Sequence, residues 1–299
     1  MRLLAVVLLF LAGLSHAHAS ETRRISILHD GETREALIDM QTGVRNAPVL
    51  IALHGGIAGP RTIRRRANVT LANQGWVVVW PYALDDWNDG RRDRSGQAYD
   101  TADDIGFLRK LIGDLAGRGI IDPKLVFFAG PSIGGMMVLR VLCEAPDLVA
   151  GAAIAIASLP AGQGCRPGPA KPVMFLHSTA DEIVPPKGGA IGGDSILVRD
   201  RGRVRPVSET MQILAERNRC TGRADTPLPD LATDDASTVT LRQYTGCSAP
   251  LVHYVVQGGG HTWPGSRPFR IGSSLIGATN QDISATRIIQ DFFKRLARQ

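Results

Sequence analysis

The sequence predicts a single α/β domain, built on a mostly parallel sheet with helices on both faces. Three observations carry that prediction. From residue 48 onward, short apolar runs rich in β-branched residues alternate with segments of helical periodicity. Turn-forming residues bound the apolar runs, which suits strands buried on both faces. No internal repeat and no linker divides residues 20–299.

The elements follow in order. "PVLIAL" (48–53) and "WVVVW" (76–80) read as buried strands, with a helix expected between them over 61–73. In "TADDIGFLRKLIGDLAG" (101–117), Ile105, Leu108, Ile112 and Leu115 recur at helical intervals, and Thr101 or Asp103 is placed to cap the start. "LVFFAG" (125–130) is a strand, and "IGGMMVLRVLCEA" is the helix after it. "AGAAIAIAS" (150–158) and "PVMFLHS" (172–178) continue the alternation. Residues 207–218 read as a helix, "TVTLRQY" and "LVHYVVQ" as strands, and "ISATRIIQDFFKRLA" (283–297) as a terminal amphipathic helix.

Residues 1–19 lie outside that scheme. One basic residue, an apolar run and a small-residue end at Ala-His-Ala form a secretory leader, with cleavage expected after Ala19. The run is too short to span a bilayer, so no stable membrane association is expected. The formal charge of +6 comes largely from arginines in "RTIRRR" (61–66) and "RDRGRVR" (199–205). No nucleic-acid module accompanies these runs, which read as solvated loops, and nucleic acid is not an expected partner. Four cysteines in an exported chain imply two disulfides, of three possible connectivities. No C-x-x-C spacing points to zinc or thiol redox chemistry. Oligomeric state is not readable from the sequence.

The chemistry centres on "FFAGPSIGGMM". G-x-S-x-G alone is too short a pattern to identify a nucleophile, but here it follows a buried strand and opens a helix. Gly130 and Gly134 let strand and helix approach closely and allow the sharp turn that exposes Ser132. Such a serine needs a base, a carboxylate that orients the base, and donors for an oxyanion. The candidate base is His261, in the loop "QGGGHTWPG" between a strand and the last helix. His253 lies inside a strand, while His54 and His177 end strands, so these three read as structural. The candidate acid is Asp181 in "HSTADEIVPP", with Glu182 its neighbouring competitor. Asp85, Asp86 and Asp89 precede the nucleophile and are candidates for lining a substrate cleft. Oxyanion donors are expected from the N–H of Ile133 and from Gly56 or Ile57 in the loop after "LIALHGG". Trp87 and Trp263 are the candidate substrate-contacting residues; Trp263 either stacks on an acyl group or packs its own loop.

Together, "LHGG", "GPSIGGMM", "HSTADEIVPP" and "GGGHTWPG" resemble the secreted polyhydroxybutyrate depolymerase and feruloyl esterase family of α/β-hydrolases. The resemblance runs from about residue 47 to 265. "CEAPDLVAGAAIAIASLP" and "DDIGFLRKLI" also resemble family segments. It implies Ser132 as nucleophile, His261 as base and Asp181 as acid, with no metal and no organic cofactor. It also suggests pairing Cys220 with Cys247, which leaves Cys143 for Cys165. Pro131 and Ser178 stand where family members often have Leu or Met and Gly. The separate polymer-binding domain of many depolymerases is absent from this sequence. The expected activity is serine hydrolysis of a carboxylic ester, either short-chain or hydroxyalkanoate-type. The alternative is a feruloyl or acetyl group on plant polysaccharide. A peptidase, or a non-catalytic binding protein on the same fold, is the rival from another class.

Overall fold

The structure, a computed structural model, describes residues 20–56, 59–165, 167–193, 200–268 and 276–299. The expected leader (1–19) and Ile57 lie outside the described residues. Twelve strands and five helices are named here among those described. The strands are β1 (Glu21–His29), β2 (Glu32–Met40), β3 (Ala47–Ala52), β4 (Val77–Pro81), β5 (Ile121–Pro131) and β6 (Gly151–Ala155). They continue with β7 (Val173–Ser178), β8 (Gly189–Ala190), β9 (Arg203–Val204), β10 (Gly222–Pro227), β11 (Thr238–Thr245) and β12 (Leu251–Gln257). The helices are α1 (Pro60–Ala67), α2 (Asp104–Gly117), α3 (Ile133–Glu144), α4 (Val207–Arg217) and α5 (Ala285–Leu296).

Ten strands form one sheet in the order β1-β2-β4-β3-β5-β6-β7-β12-β11-β10. The run from β4 to β12 is parallel, and antiparallel strands extend both flanks. Alternation along each strand sorts side chains into two cores. Val49 and Ile51 belong to the core that also holds residues of α2, α3 and α4, while Leu50 and Ala52 belong to the core shared with α1 and α5. Helices on both faces are what near-continuous apolar strands require, because neither face can meet water.

Differences from expectation have local causes. The helix expected over 61–73 stops at Ala67, because Asn68 adopts a left-handed conformation (φ 46°), and a short 3₁₀ turn follows at Leu71–Gln74. The helix expected over 101–117 starts at Asp104, because the Asp103 carboxylate caps it by accepting the Gly106 N–H at 3.0 Å. The β1–β2 hairpin turns through Asp30-Gly31, both at positive φ, a two-residue pattern that favours such a turn. The edge strand β10 is exposed along its whole length and lacks apolar alternation.

Cys143 bonds Cys165, and Cys220 bonds Cys247. The first ties the end of α3 to the loop after β6, and the second ties the end of α4 to the β11–β12 turn. Replacing Cys143 and Cys165 together by serine is expected to destabilise by about 3 kcal/mol, since it frees a loop spanning 22 residues in the unfolded chain. Chemical denaturation would measure it, and unchanged stability would mean that the native state stores offsetting strain. No helix among the described residues is long and apolar enough to cross a membrane.

Candidate active site

Three loops at the carboxyl ends of the parallel strands converge on Ser132. Its backbone sits at φ 54°, ψ −128°, between the last residue of β5 and the first of α3. A non-glycine residue held there is strained, and the surroundings impose it. The Ser132 N–H donates to Ala155 O at 2.9 Å, and the Met136 N–H returns to Ser132 O at 2.9 Å. The flanking glycines make the turn sterically possible. A Cβ on Gly130 would stand 2.5 Å from the carbonyl carbon of Gly134, and one on Gly134 would stand 2.5 Å from both Leu53 O and His54 O.

His261 Nε2 lies 3.1 Å from Ser132 Oγ, and His261 Nδ1 lies 2.8 Å from Asp181 Oδ2. The carboxylate accepts the Nδ1–H, so Nε2 faces the serine hydroxyl as an acceptor. Asp181 is buried, and its other oxygen accepts the N–H groups of Ile183 (2.9 Å) and Val184 (2.8 Å). Its orientation is therefore fixed by its own turn. Glu182, the competitor, is exposed and joins no part of this chain of bonds. The arrangement can pass the hydroxyl proton to the imidazole while the carboxylate steadies the imidazolium.

Backbone hydrogen bonds hold acid and base loops together. Thr179 N–H donates to Val256 O (2.9 Å), Ala180 N–H to Gly259 O (3.0 Å), and Gly258 N–H to Thr179 Oγ1 (3.0 Å). The base loop is also tied to a segment that lies outside every motif around Ser132, Asp181 and His261. His261 N–H donates to Ile276 O and Gly260 N–H to Ala278 O. A Cβ on Gly260 would fall 2.0 Å from Ile276 O, so this crossing requires glycine.

The N–H of Ile133 is the first of α3 and has no partner within the helix, which leaves it available to an anion. The Gly55–Gly56 loop lies alongside: a Cβ on Gly55 would stand 3.6 Å from Ser132 Cβ, and one on Gly56 would stand 3.4 Å from Ile133 Cδ1. Three contacts fix the start of this loop. Ala83 N–H donates to His54 Nε2 (3.2 Å), His54 Nδ1–H donates to Gly55 O (3.0 Å), and the Trp87 indole N–H donates to His54 O (3.0 Å). Burial holds the His54 imidazole below its ordinary pKa, which suits a ring that must stay neutral to accept at Nε2.

Two expectations need correction. Trp87 is fully buried and supports the His54 loop from behind, so it does not face a substrate. Asp89 is fully buried and does not line an open cleft; it and the partly exposed Asp86 bind the buried Arg91 guanidinium, Asp89 through Nε (2.7 Å) and Asp86 through Nη2 (2.8 Å). Sequence alternation gave no sign of this brace, because its partners are brought together by loops. Trp263 takes the packing alternative: its indole N–H donates to Thr286 Oγ1 (3.0 Å) and its ring lies against the α1–α5 core.

His177 and His253 lie away from Ser132, joined Nδ1 to Nε2 at 2.7 Å. Burial, then the charge of Arg242, pushes His177 down to about 4, and burial with His177, Arg242 and Arg223 holds His253 well below the usual value. In the unfolded chain these rings take up protons near 6.5, so below that pH the unfolded state binds more protons. Their contribution to stability is complete above about pH 6.5 and is lost as the pH falls towards about 4. For His177 the loss is on the order of 3 kcal/mol. Urea denaturation at a series of pH values would show it, and stability unchanged across that window would mean that the pair is protonated in the fold.

No family model matches the chain. NocK from Nocardia uniformis subsp. tsuyamanensis, provisionally named an esterase, is 26% identical over 290 residues, covering 92% of this chain and 83% of that protein. Feruloyl esterase B from Piromyces equi is 30% identical over 161 residues, 50% of this chain and 28% of that protein. The solved acetyl xylan esterase from Aspergillus awamori superposes with a TM-score of 0.55 at 14% identity, covering 85% of this chain and 97% of that one. The likeness is one of fold, and the fold is that of the α/β-hydrolases.

Proposed function

We propose that this chain is a secreted serine esterase that hydrolyses carboxylic esters through an acyl-enzyme. One observation carries the reading: Ser132, His261 and Asp181 form a continuous hydrogen-bonded chain, with the serine on a strained strand-to-helix turn. In the first step Ser132 Oγ attacks the ester carbonyl as His261 Nε2 takes its proton. The oxyanion is held by the N–H of Ile133 and by an N–H of the loop at Gly56. His261 then protonates the departing alcohol. Water, deprotonated by His261, attacks the acyl-serine, and the acid leaves as the proton returns to Oγ. Asp181 keeps the ring in one tautomer throughout. The esterase names of NocK and feruloyl esterase B support ester hydrolysis. The leader-like residues 1–19 and the two disulfides support export.

For substrate we favour short-chain or hydroxyalkanoate-type esters, as a depolymerase-like enzyme would take. Trp87 is buried and Trp263 is engaged with Thr286, so neither candidate indole supplies a free stacking platform for an aromatic acid. A feruloyl or acetyl ester on polysaccharide is the second reading, favoured by the 30% identity to feruloyl esterase B. A fluorophosphonate probe should label Ser132, and p-nitrophenyl acetate and butyrate should show higher kcat/KM than long-chain esters. Methyl ferulate outperforming every aliphatic ester by a wide margin would replace the first substrate reading with the second. Absence of labelling at Ser132 would remove the enzyme reading itself.

A further inference from the structure

A second concave site lies on the flank of the sheet, where β10 and β11 run on beyond the cover of α4. It encloses about 490 Å³, and none of Ser132, Asp181 and His261 lines it. Strand register explains how it is made. Arg242 pairs across β11–β12 with His253 and across β10–β11 with Asp225, while Arg223 pairs with Tyr244. Directly opposed residues share a face, so a basic row is laid along one side of the extension. The opposite wall is the start of α4, with Val207 and Met211, together with Pro186 and Lys187 from the end of the Asp181 loop.

We propose that this cavity binds an organic carboxylate with an apolar body, at a site separate from Ser132. Lys187, Arg223 and Arg242 bring three cations to it, against the single carboxylate of Asp225, which is shared by the two arginines at 2.8 and 3.2 Å. The positive end of the α4 dipole adds to the same sign. His253 is 2% exposed and lines the cavity, and its Nδ1 has no hydrogen-bond partner among the described residues. A buried ring nitrogen without a partner is rare in a settled structure and marks a place for a missing acceptor or donor. A carboxylate answers both features, as an acceptor for imidazole and as a planar partner for guanidinium. Val207, Met211 and Tyr244 then suit an apolar body, for which a bare inorganic anion has no use.

The pH linkage follows from the same groups. Burial first, then Arg242 and Arg223 from the sheet, disfavour a charged ring in the imidazole pair, and Lys187 from the loop lines the same cavity. An anion among them offsets the cationic part of that bias, so its binding should draw protons from solvent, and more at about pH 6 than at about pH 8.

Benzoate is a suitable probe because it is not an ester. Calorimetry on the full mature chain, after Ser132 has been blocked with a fluorophosphonate, keeps product binding at the reaction site out of the measurement. If Ser132 resists the reagent, the same titration on untreated protein still tests the cavity, so the two proposals fail separately. The expected result is saturable one-to-one binding with net proton uptake. Binding should weaken at least about fivefold in Lys187→Ala/Arg223→Ala, whose side chains are exposed and whose loss should leave the fold intact. No saturation below about 10 mM, unchanged affinity in the double variant, equal binding of neutral benzamide, or equal binding of inorganic phosphate would each overturn the proposal.

Discussion

Ser132→Ala is expected to fold normally and to lose at least about 10³-fold in kcat, with His261→Ala close behind. The two changes should not compound, because a base with no nucleophile to serve contributes nothing further; the double variant should match the worse single one. Asp181→Asn is the more searching test. The asparagine Oδ1 can keep both bonds from the Ile183 and Val184 N–H groups, so the turn survives. Its amide would then face His261 Nδ1 as a donor, which favours the tautomer with the proton on Nε2, pointing the wrong way at Ser132. A fall in kcat of about 10³-fold or more, at unchanged melting temperature, is the expected outcome. Near-normal turnover would move the acid to Glu182, which would first have to leave the surface.

Gly134→Ala should be severely disruptive for a single added methyl group. Its Cβ would stand 2.5 Å from two backbone carbonyl oxygens, Leu53 O and His54 O, neither of which can swing aside as a side chain can. Relief requires moving either the first turn of α3 or the loop that starts at His54, and both border Ser132. We expect a loss of about 3 kcal/mol or more in unfolding free energy, and little activity in whatever folds. Gly113→Ala is the control. On the exposed side of α2 the added methyl meets nothing within 4 Å, so stability should stay level or rise by about 0.5–1 kcal/mol. Equal behaviour of the two variants would show that the close approach at Gly134 is not real.

The parallel core and the positions of the three converging residues were legible because each is locally encoded. Short apolar runs bounded by turn-forming residues mark β3 to β7, and Gly130 and Gly134 around Ser132 report a strand and helix in near contact. The Asp181 turn announces itself by a carboxylate followed by a stiff Ile-Val-Pro-Pro segment. What was not legible depends on partners distant in sequence. Trp87 sits in a polar stretch and reads as a substrate contact, yet it is buried in the core, with its N–H donated to His54 O, 33 residues away. Arg91 turns an acidic cluster inward, helped by Arg201 O on the far loop. The exposed β10 has no apolar period of its own and exists because β11 offers it an edge.

The bonds that join the loops after β7 and β12 leave the reaction centre with two moving bodies rather than three. Val256 stands opposite Ser178 on adjacent strands, so Asp181 and His261 travel together on one paired platform. Ser132 follows directly on β5, and β6 lies between that strand and the platform. Breathing of the sheet thus has one coordinate that matters, the gap between Nε2 and Oγ, while the imidazole–carboxylate couple persists through it. Mild heating or low denaturant should accordingly silence the enzyme by widening that gap before the couple separates. An acyl or phosphonyl group on Ser132 that touches His261 would clamp the coordinate and raise the temperature at which the whole sheet gives way.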